Sequence, residues 1–350
     1  MSDNTKRTEL YELGEFQLID RLTQDIKIKN ESTTKGVGDD AAVIDANDKQ
    51  IVVTTDLLLE GIHFDLTYHP LKHLGYKAVV VNLSDVYAMN AQPKQITVSI
   101  GLSKRFSLEN VEELYSGIHL ACERFGVDLV GGDTSSSLTG MVISITAIGE
   151  VSKEKICYRS GAKENDLICV TGDLGSAYMG LQLLEREKRV LEGNTGMKPK
   201  FEGYDYILER FLKPEPRKPL IDMLDEVGVV PTSMIDVSDG LSSELLHICK
   251  NSKVGCRVYI DKIPLDQVTH KMAAELNIDP VVAALSGGED YELLFTAPIA
   301  MHNTIAEMKG VTIIGHIMPE NAGAMLVTPH GEEVSIKAQG WNALAKPDEE

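Results

Sequence analysis

The chain has 350 residues, 43% of them hydrophobic, and a formal net charge of −19. The apolar content excludes disorder, the length predicts two domains, and the charge argues against nucleic acid and anionic membranes as partners. No apolar run reaches the roughly 18 residues of a membrane span, the start "MSDNTKRTEL" lacks a secretory signal, and five scattered cysteines without a CxxC pair predict reduced thiols in a cytoplasmic protein.

In chain order, residues 1–13 precede any clear pattern, and Phe16, Leu18, Ile19, Leu22 and Ile26 recur at helical spacing from Gly14 to about Ile28. "GVGDDAAV" places Asp39 and Asp40 between glycines and a small apolar run. "QIVVTTD" (50–56) reads as a strand ending at Asp56, "HLGYKAVVVNLSDVYAMNA" (73–91) as a long buried helix and "QITVSIGL" (95–102) as a strand. "SLENVEELYSGIHLACERFG" has an N-cap serine, Ser107, and a stop at Gly126. "VDLVGGD" predicts a strand running into a glycine turn, followed by the strand "MVISITAIGEV".

A polar, turn-rich stretch (153–167) places the domain boundary near 152–165. "LICVTGDLGSAYMGLQLLE" reads as strand, turn and helix, 192–204 as a surface loop, and "KPEPRKP" (213–219) as a stiff break. "SMIDVSDGLSSELLHICKNS" and "ALSGGEDYELLFTAP" each place acids at a junction or loop, and the tail "AKPDEE" reads as frayed. Strands and helices alternate throughout, so the fold class is α/β or α+β.

The acids carry the chemistry. Asp39, Asp40, Asp56, Asp85, Asp133, Asp236, Asp239, Glu289 and Asp290 all stand in glycine or hydroxyl company beside expected strands. Singly, each is an ordinary turn or cap residue; together at strand ends, where open α/β sheets bind ligands, they outline a site. Carboxylates with nearby hydroxyls are hard ligands suited to Mg²⁺ or Mn²⁺ carried by a phosphate compound, which would also relieve the repulsion between Asp39 and Asp40. There is no Gly-Lys phosphate loop, no protein-kinase motif, no GxSxG and no HExxH. "GVGDDA" fits a loose dinucleotide fingerprint, but bare carboxylates there would repel a pyrophosphate. His69 and His73, four apart, read as surface or core, and for the single tryptophan, Trp341, packing and stacking on an aromatic ligand both stay open.

The ordered set "GVGDDAAV", "TTDLLLEGIHF", "YKAVVVNLSDVYAMNAQP", "GGDTS", "RSGAKENDLICVTGDLG", "IDVSDGL" and "LSGGEDYELLF" resembles the thiamine-monophosphate kinase family, part of the wider group of aminoimidazole-ribotide synthetase-like ATP-binding proteins. The resemblance spans about Gly14 to Trp341. It implies an N-terminal mixed sheet with flanking helices (14–155, the ATP, metal and dimerisation domain), a C-terminal α/β domain (156–350) and a homodimer. It implies ATP and thiamine monophosphate as co-substrates, several Mg²⁺ ions and no general base. The positions matching metal ligands are Asp40, Thr54, Thr55, Asp56, Asp85, Asp133 and Asp236, with Asp239 beside them. Tyr115, Gly132, Asp133, Arg159 and Ser238 match ATP contacts, and His63, Glu289 and Trp341 match substrate contacts.

Sibling activities that depend on a reactive cysteine near either end do not fit, since the first cysteine is Cys122, inside an expected helix, and the chain ends "KPDEE". The acids alone would also allow a catalytically silent nucleotide- or cation-binding module. A metal-dependent phosphohydrolase would call for histidines, which are nearly absent from these motifs.

Overall fold

The computed structural model describes residues 31–36, 38–193 and 198–337. The expectations for residues 1–28, for Trp341 and for the tail lie outside them. Among the described residues the chain builds two sheets, one from each half.

Strands β1 (Thr33–Lys35), β2 (Ala42–Ala46), β3 (Lys49–Leu59), β4 (Gln92–Leu102), β5 (Asp128–Ser136) and β6 (Val142–Ser152) form a six-stranded sheet in the order β1-β2-β3-β6-β4-β5. Strands β7 (Leu167–Thr171), β8 (Ser233–Asp236), β9 (Val254–Tyr259), β10 (Leu293–Ala297), β11 (Val311–Pro319), β12 (Ala324–Val327) and β13 (Glu333–Ser335) form a seven-stranded sheet in the order β13-β12-β9-β11-β7-β10-β8. Both sheets are mixed: β4–β5 and β9–β12 pair parallel and the neighbours around them antiparallel.

Helix α1 (Leu71–Ala88) follows β3, and α2 (Leu108–Phe125) follows β4. The second half adds α3 (Ser176–Gly193), α4 (Asp205–Leu212), α5 (Lys218–Val227), α6 (Leu241–Ser252), α7 (Gln267–Leu276), α8 (Pro280–Ser286) and α9 (His302–Ala306). No helix among the described residues is long and apolar enough to cross a membrane.

Helix α1 organises the molecule. Fourteen of its eighteen residues are buried, because its sequence is apolar all round rather than on one stripe. Val79, Val80, Val81 and Val86 share one core with Val52, Ile96 and Ile145 of the first sheet and with Met234, Leu293 and Phe295 of the second. The helix is therefore wedged between the sheets. A glycine pair holds it there: a Cβ on Gly75 would lie 2.0 Å from the Leu114 carbonyl oxygen, and one on Gly117 would lie 1.8 Å from that of Lys72. Gly117→Ala is expected to destabilise the fold by about 1–3 kcal/mol through overpacking, read as a lowered urea midpoint.

Three expectations about the backbone are revised. First, β5 does not turn at its glycines but runs through Gly131 and Gly132 to Ser136, because without a Cβ Gly132 can lie against the carbonyl of Val98 in β4. Second, the expected surface loop at 192 begins inside α3, which continues to Gly193. Third, the acids do not all sit at strand ends: Asp56 is inside β3, Asp85 inside α1 and Asp133 inside β5. Strand-end sites belong to open parallel sheets; in this largely antiparallel sheet the acids gather on a face, beneath a helix.

Candidate active site

Four elements converge beside α1. Asp40 lies in the bend before β2, Asp56 on β3, Asp85 on α1 and Asp236 at the last position of β8. Carboxylate oxygens of Asp40, Asp85 and Asp236 all lie within 4.8 Å of one another. Hydroxyl groups fix two of the acids, and a side-chain amide holds the backbone of a third. Thr54 Oγ1 donates to Asp85 Oδ2 at 2.6 Å, Ser84 Oγ donates to Asp236 Oδ2 at 2.7 Å, and the Asp56 N–H donates to Asn82 Oδ1 at 3.0 Å. Asn82, Ser84 and Asp85 thus place one polar stretch of an otherwise apolar helix against the strand.

The electrostatics are unfavourable in the apo protein. Burial, then the neighbouring Asp56, Asp236 and Asp40, pushes the Asp85 carboxyl well above the usual range. Burial raises Asp56 to about 6, and burial followed by Asp40 raises Asp236 to about 8. Arg159 is the compensating charge, its Nε and Nη2 gripping the two oxygens of Asp40 at 2.9 and 2.8 Å. The Asp40 carboxylate has no exposed surface, so Arg159→Met would strand a buried charge. A loss of about 3–5 kcal/mol is expected in chelator, measured by urea unfolding.

The two pairs of adjacent acids separate. Asp39 turns away from the cluster, accepts the Arg159 backbone N–H at 3.1 Å and faces Lys35 at 3.8 Å. Asp290 is fully buried and caps the N-terminus of α3, accepting from Gly175 N at 2.7 Å and Ala177 N at 3.3 Å. Glu289, between Gly288 and Asp290, instead reaches α1 and pairs with Lys77 Nζ at 3.0 Å. The loop lies directly on the segment after β8: the Glu289 N–H donates to Ser238 O at 2.7 Å, and that of Tyr291 to Val237 O at 2.9 Å. Asp239 is half-buried next to Ser238, and its N–H donates to Glu244 Oε1 at 2.9 Å.

Other expected site residues stand outside the cluster. Thr55 points to the opposite face of β3 from Thr54 and Asp56, where its Oγ1 donates to Ile145 O at 3.0 Å. Gly132 and Asp133 are exposed on edge strand β5, three strands from β3, a span of about 14 Å. Asp133 is in register with Ser99, Ser144 and Leu57, the row facing away from α1. Tyr115 is half-buried on α2, its ring 6.0 Å from that of His119. His63 sits in the turn after β3, with Nδ1 accepting from Leu59 N at 2.9 Å.

Sequence reasoning missed Asn82, Ser84, Lys77 and Glu244. The first three are polar residues in the apolar run of α1, a visible signal. Glu244, 2% exposed and pushed well up by burial and by Asp239, falls in the first turn of α6, where an acid reads as an ordinary helix-start residue.

The carboxylate cluster is largely buried, is met by one arginine and sits beside a mixed sheet, in a chain with no glycine-lysine phosphate loop. Residues 38–151 match the family "AIR synthase related protein, N-terminal domain". The thiamine-monophosphate kinase of Aquifex aeolicus (strain VF5) is 34% identical over 333 residues, covering 95% of this chain and 98% of its own. That of Bacillus subtilis (strain 168) is 32% identical over 336 residues, covering 94% and 99%. A solved structure described as "AaThiL complexed with AMPPCP and TMP" superposes with a TM-score of 0.83 at 31% identity, covering 97% of this chain and all of that one. The chain belongs to the thiamine-monophosphate kinase family.

Proposed function

We propose that the protein transfers the γ-phosphoryl group of ATP to thiamine monophosphate, giving thiamine diphosphate and ADP, the last step of thiamine diphosphate biosynthesis. The observation that carries the reading is the convergence of Asp40, Asp85 and Asp236 beside Asp56. Similarity to a structure described with AMPPCP and TMP supplies the nucleotide and the acceptor.

The donor set fits divalent magnesium. All its atoms are hard oxygens, and the net charge left after Arg159 is negative. Asp40, Thr54, Asp56, Asp85 and Asp236 would hold ions on the inner side of the sheet, with Asp239 next to them. Thr55 and Asp133 would serve on the outer side, where Gly132 and Asp133 are assigned to the nucleotide; Tyr115, assigned to it as well, lies on α2, which packs on α1. Magnesium bound there would neutralise phosphate charge and polarise the γ-phosphoryl group. The chain itself supplies position and fixed charge. Arg159 and Ser238 would meet the ATP phosphates, and His63, Glu289 and Trp341 the thiamine half.

In this reaction a terminal oxygen of thiamine monophosphate forms a bond to the γ-phosphorus in line, as the bond to the β-bridging oxygen breaks and ADP leaves. A phosphate monoester loses its second proton near pH 6, so the nucleophile is ionised at neutral pH and needs no general base. This accounts for a site of carboxylates and one arginine.

We divide the chain near residue 155 into an N-terminal nucleotide, metal and dimer unit and a C-terminal unit that completes the site. The active form is taken as a homodimer paired through the outer face of the first sheet, where Leu57 is 52% exposed. The free thiols, all buried, suit a reducing cytoplasm.

Incubation with ATP, magnesium and thiamine monophosphate, followed by chromatography, is the test. Stoichiometric ADP and thiamine diphosphate are expected. ATP binding without acceptor-dependent ADP release would instead identify a silent binding module.

A further inference from the structure

Lys77 lies in the middle of α1, and only 1% of its side chain is exposed. A buried ammonium is tolerated when it is paired and hydrogen-bonded, and this one is. Nζ donates to Glu289 Oε2 at 3.0 Å and to Phe211 O at 3.2 Å, and it stands 4.2 Å from the centroid of the Phe211 ring. Two hydrogen bonds and a ring face confine the ammonium, which in turn holds the Glu289 carboxylate.

Glu289 needs such a hold. Gly288, Glu289 and Tyr291 have φ of +70°, +58° and +50°, a region that residues with side chains rarely adopt. The backbone of Glu289 is tied to Ser238, and the next residue, Asp290, is tied to the start of α3. Lys77 therefore sets the one remaining freedom, the direction of the Glu289 side chain. The same helix carries Ser84 and Asp85 seven and eight residues further on, two turns along one face and about 11 Å away.

We propose that Lys77 is a positioning residue for the phosphate acceptor. It fixes the Glu289 carboxylate at a set distance along α1 from Asp40, Asp85 and Asp236, so that an acceptor whose amino-bearing ring is held by Glu289 presents its phosphate to the nucleotide. Too buried to touch substrate, Lys77 acts only through Glu289. The proposal rests on the kinase reading and on Glu289 as the acceptor-side residue.

The test is steady-state kinetics of Lys77→Met with each co-substrate varied in turn. The KM for thiamine monophosphate is expected to rise about ten- to a hundredfold, the usual effect of losing a charge-assisted hydrogen bond, with the KM for ATP within about twofold of wild type. In the Glu289→Gln background the same change should add little. Phe211→Leu, which loosens Lys77 without touching the cluster, is the second variant if Lys77→Met does not fold, and it should move the same constant by less. An unchanged KM for thiamine monophosphate, or a loss spread equally over kcat, both KM values and melting temperature, overturns the proposal. If the wild type makes no thiamine diphosphate, the kinase reading fails and takes the proposal with it; an active wild type with an unaltered variant defeats the proposal alone.

Discussion

Asp85→Asn is expected to lower turnover about a thousandfold while raising the melting temperature of the metal-free protein. The two effects share one cause. Asp85 faces Asp56, Asp236 and Asp40 from inside a helix, and burial together with those charges pushes its carboxyl far up. Asparagine keeps an oxygen for Thr54 Oγ1, which now donates at 2.6 Å, and removes one like charge. A gain of about 1–2 kcal/mol is expected in chelator, as for other uncompensated buried charges replaced by neutral groups. Turnover falls because an ion stabilising a transferring phosphoryl group contributes several kcal/mol, and a carboxylate is its strongest protein ligand here. Differential scanning fluorimetry and ADP release measure the two halves. A variant both less stable and less active would make Asp85 an ordinary structural residue.

The metal-free protein should lose stability as pH rises from 5.5 to 8.5, by an amount on the order of a few kcal/mol. Asp56 and Asp236 are raised from 3.8 to about 6 and about 8, so the folded chain holds these protons more tightly than the unfolded one. Their contribution is complete below about pH 4, the unfolded value, and disappears as pH climbs through 6 and then 8. The Arg159 guanidinium partly offsets the rise at Asp236. Saturating magnesium should reverse the loss, since it binds the deprotonated acids: at a hundred times its Kd it adds about 2.7 kcal/mol at pH 8.5, and less at pH 5.5 where protons compete. Urea midpoints at the two pH values, in chelator and in magnesium, give the four numbers needed. Stability independent of pH in chelator would mean the cluster is not strained by its own charge.

Much of this site could be read from residues because its signals are local. Ser107 and Gly126 bracket α2 as expected, with the Ser107 N–H donating to Asn110 Oδ1 at 3.1 Å and Gly126 left-handed at φ +67°. The apolar run around Val79–Val81 gives a buried helix, and Asp236 closes β8. What escaped is what depends on the path of the chain. Asp39 and Asp290 have the same company as Asp40 and Glu289, and only tertiary contacts send one to a backbone amide and the other to the start of α3. Asp133 could not be placed without the order β3-β6-β4-β5. By contrast, the opposite faces of Thr54 and Thr55 follow from strand alternation alone. Lys77, Asn82 and Ser84, polar residues inside an apolar helix, were missed although that contrast is visible in the sequence.

The most direct measurement is calorimetric titration of the non-hydrolysable nucleotide AMPPCP into the full-length protein, with and without magnesium, in two buffers of different ionisation enthalpy. Nucleotide binding is expected to require magnesium, to release protons from the raised carboxyls and to be lost in Asp85→Asn and Asp236→Asn. Equal affinity in chelator, or in either variant, would rule out a metal-bridged site.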